Sequence, residues 1–118
     1  MKKLYDELKR WGCSVDEALE RVVDDDELYL DCLNSVVDDQ AFYLLGDALR
    51  GGEVQAAFDS AHTLKGVLAN LGLDPLFDIT VRIVEPLRRG EKDGLMPIYA
   101  ELMEGREKLN NILAANAK

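Results

Sequence analysis

Residues 54–72 read VQAAFDSAHTLKGVLANLG, and the spacing of their apolar residues decides what kind of fold this chain can adopt. Val54, Ala57, Phe58, Ala61, Leu64, Leu68 and Leu71 recur at intervals of three and four, the period of a helix with one buried face. The spacing predicts a helix over about 53–71. Inside it lies His62, the single histidine of the chain. At about 100 degrees per residue, His62 falls off the centre of the apolar stripe, on the flank shared by Gln55, Asp59, Gly66 and Ala69. Its imidazole is therefore expected to reach solvent. One turn further on stand Lys65 at i+3 and Gly66 at i+4, a cation and a residue without a side chain.

Outward from this segment the chain continues to read as helix. Residues 2–11 set Leu4, Leu8 and Trp11 among charges and stop at Gly12, a suitable C-terminal cap. Ser14 is expected to cap a short helix over 15–22, with Glu17 completing a capping box. Both pieces belong to an N-terminal extension, residues 1–23, laid as a lid across one end of the fold. The acidic run Asp24-Asp25-Asp26-Glu27 suits the positive end of a helix macrodipole. Its aspartates are consecutive, unlike the alternating ligands of a calcium loop, so no metal is assigned to it. Tyr29, Leu33, Val36 and Val37 then form one helical face, and Phe42, Leu45 and Leu49 form another after Asp38-Asp39. That pattern fits one bent helix or two.

Gly51-Gly52 is a strong stop before the histidine helix. After that helix, Asp74-Pro75 reads as an N-cap with proline at the first helical position, opening a helix that buries Leu76, Ile79, Ile83 and Leu87. Pro86 falls near its end, before Gly90. A final helix over 95–114 is expected to bury Ile98, Leu102, Leu109, Ile112 and Leu113, with Pro97 in its first turn. No stretch alternates as a strand does. Short connections after Arg50, Leu71 and Arg89 imply antiparallel neighbours. The expected class is all-α: an antiparallel up-and-down four-helix bundle over 24–114 with the short N-terminal helical extension, a single domain spanning 1–118.

A formal net charge of −9 over 118 residues argues against sequence-independent binding to nucleic acid or to an anionic membrane surface, both of which need positive charge. The partner is expected to be a protein. No apolar run approaches the roughly 20 residues that span a bilayer, and Met-Lys-Lys-Leu-Tyr-Asp-Glu at the start lacks the apolar core of a secretory signal. A cytoplasmic location follows as an expectation. The initiating Met and the polar tail Asn116-Ala117-Lys118 suit a free-standing chain, and a module excised from a hybrid kinase would look the same. Cys13 and Cys32 have neither CxxC spacing nor nearby histidines, and both are expected to be buried free thiols. Arg82, Arg88 and Arg89 are expected to serve the negative C-terminal end of their helix.

The chemistry suggested by His62 and its neighbours is phosphoryl capture. Free imidazole titrates near pH 6.5, so a solvent-facing histidine is mostly neutral and nucleophilic at neutral pH. Captured phosphoryl oxygens would be held by the Lys65 ammonium one turn away. Gly66 would give clearance to the macromolecule that delivers the group. Glycine within a helix costs up to about 1 kcal/mol relative to alanine, so its presence there calls for a reason.

The run AHTLKGVLANLG resembles the signature of histidine-containing phosphotransfer (HPt) domains, which reads His-x-Leu-Lys-Gly followed by small residues, an Asn and a Gly. Here these are His62, Leu64, Lys65, Gly66, Ala69, Asn70 and Gly72. Weaker similarity runs from the Val15-to-Arg21 segment through the Asp-rich approach to Leu28 and on to the last helix, with Val67 and Leu68 standing where the family often has Ser or Ala. The resemblance implies a phosphorelay carrier of two-component signal transduction without kinase activity of its own. His62 would accept a phosphoryl group from a receiver-domain aspartate and pass it to another receiver, on a response regulator or a hybrid sensor histidine kinase. No cofactor is expected on this chain; the Mg2+ would sit on the receiver. Gln55, Asp59 and Ala69 are candidate partner contacts, and a monomer is expected. The alternatives are a helical adaptor that binds a kinase or response regulator without carrying phosphate, and an enzyme using His62 as general base. The latter is disfavoured because only Asp59 stands at helical spacing as a second catalytic group.

Overall fold

The computed structural model describes residues 1–117; Lys118, the last residue of the polar tail, lies outside the described residues. Among the described residues seven helices follow one another: α1 (Lys2–Trp11), α2 (Val15–Arg21), α3 (Asp26–Val37), α4 (Ala41–Arg50), α5 (Val54–Asn70), α6 (Asp74–Arg88) and α7 (Met96–Ala115). Among the described residues there is no strand, and the class is all-α, as the periodicities require. Short connections fold α4 onto α5, α5 onto α6 and α6 onto α7, and α7 returns to touch α3 and α4, closing a helical bundle of 42 × 25 × 21 Å. No helix of the described residues is long and apolar enough to cross a membrane.

The core is built from the faces that the spacing marks out. Leu64 and Leu68 of α5 are fully buried with Leu33, Leu45, Leu76, Ile83, Leu102 and Leu109. Each such side chain removed from water contributes about 1.5–3 kcal/mol. Two buried tyrosines add direction to this non-directional packing. Tyr29 donates its hydroxyl to the Leu71 carbonyl at the end of α5 (2.9 Å), and Tyr99 donates to the Phe42 carbonyl in α4 (2.8 Å). Without those acceptors each hydroxyl would be a costly buried orphan.

The segment that fits one bent helix or two is two. Arg106 reaches from α7 and donates to the Val37 carbonyl at 2.6 Å, taking a carbonyl at the end of α3, while Asp39 Oδ1 accepts the Ala41 N–H at 2.8 Å at the start of α4. Both sides of the break are satisfied, so nothing drives it to heal. The expected edges shift elsewhere. Trp11, Leu49, Ile79, Ile98 and Ile112 are only partly buried against the core. Cys13 is buried but Cys32 is intermediate, which corrects the expectation of two buried thiols.

Two expected caps are replaced by one contact. Ser14 makes no capping bond to its own helix, so the box with Glu17 does not form; its hydroxyl instead donates to Asp74 Oδ2 at 2.5 Å. Asp74 is the first residue of α6 rather than its N-cap, which is Leu73. The hydroxyl and the carboxylate find each other across 60 residues because Ser14 N–H already donates to the Gly72 carbonyl at 2.8 Å, holding the α1–α2 junction against the α5–α6 turn. This contact fixes the end of the helix that carries His62.

Candidate functional site

Helix α5 sits between α4 and α6 and buries Ala57, Ala61, Leu64 and Leu68, leaving its opposite face to solvent. Its C-terminus is closed twice. Gly72, at φ 69, returns its N–H to the Ala69 carbonyl and Leu73 N–H to the Leu68 carbonyl, a hydrogen-bond pattern that requires the left-handed conformation glycine adopts without strain. Arg21 of α2 then donates one guanidinium nitrogen to the carbonyls of Ala69 (3.2 Å) and Asn70 (2.9 Å). A cation on these last carbonyls also opposes the negative end of the helix dipole. Pattern reading did not assign this role to Arg21, because the contact spans 48 residues or more.

On the outward face, His62 is exposed and Lys65, one turn on, is half-buried. Gly66 is exposed, and a Cβ built there meets no atom within 4 Å. That result separates Gly66 from the other helical glycines. Gly46 has the Tyr99 ring in its place and Gly105 has Leu76 Cδ2, so those two are glycines because the bundle is tight around them. No such internal pressure exists at Gly66, and its backbone is ordinary helix, so neither packing nor conformation demands a glycine.

Gln55 and Asp59 lie on the same exposed flank, where Gln55 Nε2 donates to Asp59 Oδ1 at 2.8 Å, so these two are engaged with each other. Ala69 is half-buried near the end of the helix. Phe58 departs from its expected place. It is half-buried at the edge of the apolar stripe, and its ring stacks on the His62 imidazole with centroids 5.5 Å apart and planes 11° from parallel. The i, i+4 spacing of Phe58 and His62 was the available signal, since such pairs lie one above the other on a helix.

Of the three arginines expected at the end of α6, Arg88 lies in its last turn and Arg89 is its C-cap, whereas Arg82 lies earlier in the helix and departs from that expectation. Arg82 forms a fork to Glu101 of α7 (2.9 and 3.1 Å), and Arg89 pairs with Glu91 (3.2 Å). Arg88 lies with its guanidinium carbon 5.3 Å from the Phe58 ring centroid and its Nε 3.6 Å from Glu85. The end of α6 is also closed by backbone: Gly90 N–H and Glu91 N–H return to the Leu87 and Pro86 carbonyls, both at 2.9 Å. The forks hold the carboxyl groups of Glu101 and Glu91 below the usual carboxylate range, through the hydrogen bonds first.

Among the described residues no three imidazole, thiol or carboxyl groups come together to hold a metal ion. A solvent-facing imidazole, a cation one turn away and open space at Gly66 are what this face offers. A family model described as the Hpt domain matches residues 39–116, which span α4 to α7 and include the whole of α5. Comparisons with curated proteins and with solved structures find no match.

Proposed function

We infer, because this chain belongs to the Hpt domain family, that His62 is its phosphoryl acceptor. Hpt domains are phosphorelay carriers of two-component signalling that work with receiver domains, and they are not autonomous kinases. The observation that carries the assignment to His62 is the open space at Gly66, one turn from an exposed imidazole. A partner's active site can be pressed against the helix there and nowhere would a side chain of residue 66 obstruct it.

A neutral ring nitrogen of His62 attacks the phosphorus of an aspartyl phosphate on a receiver domain. The P–N bond forms as the P–O bond to the aspartyl carboxylate breaks, and the ring proton passes to solvent. Transfer onward to the aspartate of a second receiver reverses these events. Lys65 offsets the charge of the phosphoryl oxygens on His62, while Mg2+ and most of the transition-state stabilisation come from the receiver. Gly66 provides the clearance, and Gln55, Asp59 and Ala69 border the contact. The chain acts as a monomer in the cytoplasm.

Replacing His62 by Gln keeps the size and polarity of an exposed side chain but removes the nucleophile. Incubated with an acetyl-phosphate-charged receiver, wild-type protein is expected to take up an acid-labile, base-stable phosphate and the His62→Gln protein none, with identical helical circular dichroism. Uptake by the variant would reject His62 as the acceptor.

A further inference from the structure

We propose that Phe58 is a positioning residue that holds the His62 imidazole in its transfer-competent orientation, and that Arg88 steadies Phe58 in turn. This rests on the reading of His62 as the phosphoryl acceptor. An exposed histidine side chain on a helix ordinarily exchanges among rotamers in picoseconds to nanoseconds. Here the Phe58 ring lies against the imidazole in an offset stack, near-parallel at 11° with centroids 5.5 Å apart. Phe58 is itself restrained, half-buried on its inner side and approached by the Arg88 guanidinium at 5.3 Å. Glu85, 3.6 Å from Arg88 on the same helix, limits where that guanidinium can lie. A chain of contacts thus runs from α6 through Phe58 to the nucleophile on α5.

Each of these surface contacts is weak alone, and a role in stability would be minor. Orientation is a different matter. A receiver must meet the imidazole nitrogen in line with the breaking P–O bond, so only the fraction of molecules with the ring correctly placed can react. With two accessible χ1 wells on a helix and a broadly two-fold χ2, releasing the ring lowers that fraction, and the observed transfer rate, by about two- to fourfold.

Three proteins and two phosphodonors test this. The single imidazole of the chain makes its carbon-bound protons easy to isolate by NMR. Wild type and Phe58→Tyr are expected to show the upfield ring-current displacement of a stacked imidazole, and Phe58→Leu to lose it. Transfer from an acetyl-phosphate-charged receiver is expected to fall by about two- to fourfold in Phe58→Leu and to be restored in Phe58→Tyr. Phosphoramidate is small enough to reach the ring in any rotamer. It phosphorylates the imidazole directly, its own P–N bond breaking as ammonia leaves and takes up the ring proton as ammonium, so its labelling rate is expected to be unchanged. Arg88→Gln, at an exposed position, gives a second variant with a smaller loss in the same direction. Equal receiver transfer in wild type and Phe58→Leu would overturn the inference and leave the function standing, as would a parallel fall with both donors. If phosphoramidate labels wild type at His62 but no receiver does, the functional reading fails and this inference with it.

Discussion

At the scale of single residues, the informative contrast is between glycines. A Cβ at Gly46, Gly72 or Gly105 would collide with Tyr99, Ser14 or Leu76, whereas a Cβ at Gly66 meets nothing. Gly66→Ala should therefore stabilise the protein by about 0.5–1 kcal/mol, the helix-propensity difference, read as a higher urea midpoint at unchanged slope. The same surface should fail in its function when a larger side chain is added. Gly66→Glu is expected to keep its helicity and its exposed imidazole yet to lose transfer from a phosphorylated receiver. A destabilising Gly66→Ala, or normal transfer to Gly66→Glu, would mean that the open space serves no approaching partner. A residue whose replacement helps folding and harms transfer is held in place by something beyond the fold.

At the scale of elements, α5 is positioned by its C-terminal end. Gly72 ends the helix, gives its carbonyl to Ser14 N–H, and presses so close to the Ser14 carbonyl that only glycine fits. Gly72→Ala should destabilise the protein by about 2 kcal/mol or more, combining the left-handed backbone with the clash. Because the displaced partner is the α1–α2 junction, the loss should appear first as faster amide exchange in α1 and α2, measured by hydrogen exchange. Uniform exchange across all seven helices would place the weakness elsewhere. The signature glycine thus has a structural duty that the signature histidine does not.

At the scale of the whole molecule, the interior is hostile to negative charge. Burial pushes the Cys13 thiol from its ordinary 9.0 up to about 12, with the Asp74 carboxylate adding to the effect and Lys108 opposing it. Burial likewise raises the phenols of Tyr29 and Tyr5, and the Asp26 carboxylate that accepts from Tyr5 raises it further. In each case the unfolded chain gives up its proton at a lower pH than the folded chain does. Stability is then unaffected by these groups below about pH 9 and falls as pH rises from there towards 12. Urea midpoints measured at pH 7.5 and pH 10.5 should show the decline, shallower in Cys13→Ala; a flat profile would deny that these groups stay buried. Much of this architecture was legible beforehand. Regular three-and-four spacing in α5, α6 and α7, with glycine stops between them, dictates antiparallel helices, because apolar faces so placed have no other way to leave water together. The off-stripe angle of His62 and its neighbours Lys65 and Gly66 follow from helix geometry alone, since residues within one helix keep fixed relations. What the linear pattern did not contain were contacts between elements. Ser14 abandoned its capping box for Asp74, Arg21 closed a helix 48 residues away, and Phe58 left the core stripe to lie against the imidazole under Arg88. Each depends on which faces meet and at what height, and that is set only once the whole bundle has closed: local periodicity determines the helices and the face on which His62 lies, and packing between helices decides which polar and aromatic groups lie against it.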